Sequence, residues 1–264
     1  MVYKISRLAR IYAPFRNCKF EIYAPGVYIH IVTPNWKIYY WLFNSKPQLM
    51  KRTSLKRLAL GGVAGPILFT VIMLLCANLR SDYSHTHHFV SELGATGTSN
   101  ADLMNWAGFI PAGVMIVLFG GSLTQLLPKS FLGRTGSVLI LIFGIGMVVV
   151  GSFSCDPGCP REGSLENNLH DQISGPAFMC AIIGILILGI SFRRLHFWRE
   201  FWLYSVVSAL VSVGLLVGLI SSIESHTYTG LWQRLLLLTI FLWLTMVGLK
   251  LFKSVGDTEV DNHI

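Results

Sequence analysis

Six stretches of this sequence run apolar for longer than a soluble core requires: residues 58–79, 106–127, 136–154, 175–192, 202–223 and 231–252. A hydrocarbon core about 30 Å thick is crossed by about 20 residues of α-helix. Lipid offers no hydrogen bonds, so a spanning backbone must satisfy its own N–H and C=O groups, and a helix does so within one segment. The sequence therefore predicts an all-α, polytopic membrane protein, a six-helix transmembrane bundle carried by residues 50–253. Composition agrees: 53% of the 264 residues are hydrophobic and only 13% are charged, about half the charge density of a soluble domain.

A net charge of +8 would raise nucleic acid as a partner for a soluble chain. Its distribution argues against that here and leaves membrane lipids as the expected partner. Asp82, Glu92 and Asp102 accompany Arg80 after the first apolar run, and Asp156, Glu162, Glu166 and Asp171 accompany Arg161 after the third. Glu224 follows the fifth. Lys51, Arg52, Lys56 and Arg57 precede the first run, Lys129 and Arg134 follow the second, and Arg193, Arg194 and Arg199 follow the fourth. Lys250 and Lys253 end the last. Lysine and arginine concentrate in cytoplasmic loops. Both termini are thus expected in the cytoplasm, with residues 254–264 as a short tail there and the three acidic connections outside.

Residues 1–49 are of another kind, basic and aromatic, with Glu21 as the one acidic residue and Pro14, Pro25 and Pro34 breaking any long helix. One reading makes them an upstream extension from a misplaced start, because Met50-Lys51-Arg52 resembles the beginning of a membrane protein. Another lays them on the anionic inner leaflet; an organellar transit peptide is a third. Within the apolar runs, the Gly61–Gly65 and Gly214–Gly218 spacings each set two glycines on one helix face. Such faces serve a homo-oligomer or, more commonly in a six-helix chain, packing inside the bundle. The middles of the runs hold no Asp, Glu, Lys, Arg or His. That disfavours proton-coupled transport, which needs ionisable groups at membrane depth, and moves any chemistry to the outer rim.

Three polar stretches meet at that rim. The first, from Ser84 to Ala95, contains His85, His87, His88, Ser91 and Glu92. As a helical turn or two it would set His88 over Glu92 and His87 over Ser91, pairs suited to metal ligation or acid–base work. The second holds Cys155 and Cys159 around Pro157-Gly158, with Asp156 between them and His170-Asp171 further on. Outside the cytoplasm a disulfide is the expected state of the two cysteines, with a zinc site as the rival. Ser174 and Pro176 suit the start of the fourth span. The third runs from Tyr228 to Arg234 and puts Gln233 and Arg234 about one turn inside the sixth run. An arginine there needs a partner: a carboxylate such as Asp156, Glu224 or Glu92, or the anionic group of a lipid.

The segments Ser91-Glu92-Leu93-Gly94-Ala95, Phe153 to Asp156, His170-Asp171 and Gly230-Leu231-Trp232-Gln233-Arg234 resemble a prokaryotic six-span family catalogued as domain of unknown function 998. The likeness covers roughly residues 55–252 and implies the fold, the topology and residence in the cytoplasmic (inner) membrane, but no activity. Membrane hydrolases of the alkaline ceramidase type, which gather Ser, Asp and His around zinc, offer a looser analogy; the paired histidines of their last span are missing here. Two functions are expected from these residues. One is an enzyme acting on a lipid or lipid-linked substrate, in which His88, Ser91, Glu92, Asp156, His170 and Asp171 are the catalytic candidates. In that enzyme His88, Asp156 and His170 would ligate zinc, and Gln233 and Arg234 would bind substrate. The other is a non-catalytic sensor, lipid-binding or assembly protein whose polar rim is structural.

Overall fold

Helices that are apolar on every side can bury only part of their surface against one another, and the remainder must meet lipid. The computed structural model has this arrangement. It describes residues 19–23, 28–32, 37–40, 52–225 and 227–260, with side chains for 54–223, 225 and 227–253. The expectations for the rest of 1–49 and the Glu224 side chain fall outside the described residues, as do residues 261–264 of the expected tail, whose residues 254–260 continue the last helix. Two units divide the chain, residues 1–51 and 52–264. In the first, Lys19–Tyr23, Tyr28–Val32 and Lys37–Tyr40 form an antiparallel three-stranded sheet in sequential order, strands that the reading of 1–49 did not foresee.

The second unit contains helices and no strand among its described residues. Its helices are α1 (Arg52–Ala59), α2 (Gly61–Asn78), α3 (Ile110–Leu126), α4 (Phe131–Ser152), α5 (Leu165–Phe192), α6 (Phe201–Ser225) and α7 (Thr229–Val260). A π-helical turn, Leu103–Phe109, leads into α3, and a 3₁₀ turn, Ser91–Gly94, lies in the connection before it. Six of these helical stretches are long and apolar enough to cross a membrane, the first formed by α1 and α2 together and the second by the π turn with α3. This is the expected six-helix bundle of a membrane protein. Neighbours in sequence pack as neighbours in space from α2 round to α7, and α7 returns to pack on α1 and α2, closing the ring. Phe69, Phe119, Phe143, Ile185, Leu188 and Trp243 fill its interior, whereas Ile67, Val71, Leu210, Val217, Leu238 and Leu242 are about half exposed on its outer faces. Such exposure would be an aggregation hazard in water and is ordinary against hydrocarbon.

Gly61 and Gly65 face α3, where added Cβ atoms would strike the backbone of Met115 and Ala112, so this spacing serves packing inside the bundle. One boundary departs from expectation. The fourth span begins at Leu165, with Ser164 capping it by accepting from the Asn167 amide at 3.2 Å. Ser174 and Pro176 are interior residues of α5, not its start. At 1.5 Å per residue its 28 residues reach about 42 Å, so the polar first turns project beyond a hydrocarbon core of about 30 Å. His170 and Asp171 sit on that projection rather than in a loop.

The connections 79–102 and 153–164 gather with residues 227–228 at one end of the bundle, the polar rim. The connections 127–130 and 193–200 share the other end, where Lys250 pairs with Glu200 and stands over the ring of Phe197.

Candidate functional site

The rim is a loop clamped between two partners. Its first half, residues 83–90, is fastened to the start of α7. Leu231 N–H donates to the Thr86 carbonyl at 3.0 Å, Val90 N–H donates to Gln233 Oε1 at 2.6 Å, and the Thr229 hydroxyl donates to the His87 carbonyl. Arg234 completes the attachment. Its guanidinium donates to the carbonyls of His88 at 3.1 Å and Gly230 at 3.0 Å and to the Tyr83 hydroxyl, and its charge stands 5.4 Å from the Tyr83 ring centroid. No carboxylate among the described residues pairs with it, so the expected partnership with Asp156 or Glu92 does not form; the Glu224 side chain lies outside the described residues. Arg234 Nε is buried without a hydrogen-bond partner among the described residues.

Tyr83 has a second cation on its ring, Arg80 at 5.8 Å. Arg80 donates to both oxygens of Asp82, at 3.1 and 3.2 Å, and to the Glu92 carbonyl at 2.9 Å. That hydrogen bonding holds the exposed Asp82 carboxyl below its ordinary range. Burial pushes the Tyr83 hydroxyl up, against the opposing pull of Arg234. His85, whose ring meets Tyr83 edge-on at 5.7 Å, is held below the usual histidine value, first by desolvation and then by the Arg234 charge. The rim beside α7 is therefore organised on a tyrosine flanked by two guanidinium groups, that of Arg80 paired with Asp82 and that of Arg234 held by neutral acceptors; sequence reasoning passed over Tyr83 because nothing about a lone loop tyrosine marks it.

The second half, residues 91–96, is fastened to the connection after α4. Cys155 and Cys159 form a disulfide, and Ser91 lies against it with Oγ 3.4 Å from the Cys159 sulfur. The Thr96 amide donates to the Cys155 carbonyl at 2.8 Å. Asn105, carried on the π turn, donates to the Gly94 carbonyl at 2.8 Å and to Ser154 Oγ at 2.9 Å. Asp156 spends both carboxylate oxygens on Ser164, accepting from its amide at 2.7 Å and its hydroxyl at 2.8 Å. His170, buried at 5% exposure, directs Nδ1 at the carbonyls of Val150 and Phe153, at 3.2 and 2.9 Å. Those are carbonyls at the end of α4 that the helix itself cannot satisfy, so His170 acts as their cap.

The predicted i,i+4 pairs are not built, because residues 87–90 are not helical. His88 Nδ1 accepts from the Ser84 amide at 3.1 Å, while Glu92 reaches back to accept from the Phe89 amide at 2.8 Å. His87 stacks on Tyr228 at 5.3 Å, and Asp171 is exposed. Among the described residues no three of His, Cys, Asp or Glu gather where they could hold a metal ion. His88, Asp156 and His170 each face different partners. What does converge is Ser91, His170, Ser174 and Gln233, on a small, partly open cavity of about 40 Å³ also walled by Leu237. Such a space has room for one or two waters.

Residues 63–250 match the family described as Protein of unknown function (DUF998). No curated protein and no solved structure matches the chain.

Proposed function

The chain belongs to the DUF998 family, a family of unknown function, and on that premise we propose that it recognises an anionic group presented by a lipid or lipid-linked molecule at the outer rim. The outward orientation of the rim is supported by the Lys and Arg residues concentrated at the opposite end of the bundle, which would put both termini inside. One observation carries the proposal: Arg234 stands at the head of a membrane-spanning helix with carbonyls and a hydroxyl as partners, and with a buried N–H unmatched. Neutral acceptors leave its charge uncompensated, and arginine does not shed its proton. An anionic oxygen supplies that compensation and takes charge-assisted hydrogen bonds, about twice as strong as neutral ones.

Lipid processing is the second reading, favoured by the small cavity where Ser91 and His170 converge; release of a water-soluble head group from added lipid would support it. Zinc-assisted hydrolysis through His88, Asp156 and His170 would first require Asp156 to leave Ser164 and His88 to leave the Ser84 amide.

The recognition reading is tested by melting the detergent-purified protein with phosphatidylglycerol or phosphatidylcholine in mixed micelles. The anionic lipid at tenfold excess over its Kd should raise the wild-type Tm by about 3–6 °C, and Arg234→Ala should abolish the rise. An equal rise in Arg234→Ala, or an equal response to the zwitterionic lipid, refutes it.

A further inference from the structure

Below Arg234 the bundle is not smooth. A crevice of about 480 Å³ runs between α2 and α7, with Arg234 among its lining residues at the rim end. Ile67 and Val71 form one wall and Leu238 and Leu242 the other, all half exposed, over a floor in which Phe69 and Phe241 meet edge to face at 5.4 Å. The crevice extends along α7 from Arg234 to Thr245, eleven steps of 1.5 Å or about 16 Å. That is about half of a 30 Å hydrocarbon core, the depth of a single leaflet. Its volume is that of a small-molecule site.

We propose that this crevice binds one acyl chain of an anionic phospholipid from the rim-side leaflet, with the phosphate at Arg234. The inference rests on the reading of Arg234 as an anion-recognising group and adds the ligand class: a membrane-resident lipid, not a free anion. Charge and shape converge on it. Bulk lipid wets every exposed apolar face without preference, whereas here an apolar channel one leaflet deep ends at a cation with no carboxylate beside it among the described residues. The chain supplies the apolar contact and the phosphate supplies the specificity, since the walls cannot distinguish one hydrocarbon from another.

The test fills the crevice without touching its head. Val71→Trp and Leu238→Trp narrow it from opposite walls at half-exposed positions that tolerate bulk, and Leu210→Trp on the outer face of α6 is the control. Binding of phosphatidylglycerol, phosphatidylcholine and glycerol phosphate is followed on the full chain by native mass spectrometry and thermal shift. Each crevice variant is expected to weaken phosphatidylglycerol at least about tenfold, about 1.4 kcal/mol, while Leu210→Trp leaves it unchanged and glycerol phosphate binds feebly to all. Undiminished phosphatidylglycerol binding in both crevice variants, alongside its loss in Arg234→Ala, overturns the chain site and leaves the anion reading standing. Glycerol phosphate binding as tightly as the lipid does the same. Retention in Arg234→Ala overturns both.

Discussion

Gly230 shows how little room the rim leaves. A Cβ at this position would overlap the His88 carbonyl and lie 2.7 Å from Arg234 Nη1 and 2.8 Å from the His85 carbonyl. The missing side chain is what lets the loop rest its carbonyls on the start of α7. Gly230→Ala should push the loop outward and loosen the Arg234 contacts, at a cost of about 1–3 kcal/mol. A Tm lowered by about 3–8 °C checks this, and an unchanged Tm would mean that the loop is not held there. Gly94 is confined in the same way by the Asn105 amide. The sequence singled out both glycines' segments, and singled out Arg234 as a charge in need of a partner. It could not name that partner, because the acceptors on Gly230 and His88 are backbone carbonyls, which every residue carries alike. Asp156 and His170 were legible as polar residues at the rim, yet their service to a helix start and a helix end depends on where α5 begins and α4 stops.

At the level of elements, the spans were readable because twenty apolar residues in a row admit few other structures. The start of α5 was not. Its first turns contain Glu166, Asn167, Asn168, His170 and Asp171, so hydropathy places the boundary ten residues late, and only the Ser164 cap reveals it. The crevice was equally hidden, since the residues of its walls are indistinguishable in sequence from any lipid-facing Ile, Val or Leu. The disulfide closes a short ring within the connection after α4, and the 3₁₀ turn at Ser91 rests against that ring without a covalent link to it. A ring of five residues restricts the unfolded chain modestly, by about 2 kcal/mol on the loop-entropy account. Cys155→Ser with Cys159→Ser should therefore lower Tm by about 4–8 °C and speed hydrogen exchange at Ser91–Gly94, while exchange in α7 stays slow. Reductant applied to the unaltered protein should reproduce both effects. Equal Tm values with and without the bridge would show that it contributes nothing to holding the turn.

For the molecule as a whole, charge and helix count are the two quantities that set orientation, and both are plain in the sequence. Reporter fusions after Ser130 and Arg194 should register the cytoplasm, and fusions after Thr98 and Gly163 the opposite side. Reversal at any two of these positions would turn the rim inward and remove the lipid leaflet assigned to it. The bonds that fasten residues 83–90 to α7 link partners 142 to 151 positions apart, so they can form only once the last helix has been made. Domains emerge from the N-terminus first during synthesis, and until then the ring stays open along α2, with Phe69 on the seam and the Thr86 carbonyl without its α7 donor. Completion of the crevice between α2 and α7 and closure of the ring are thus a single late event in the chain's assembly. A chain stalled before Thr229 carries its own mark of immaturity, an uncovered aromatic edge and a loop held at only one of its two anchors.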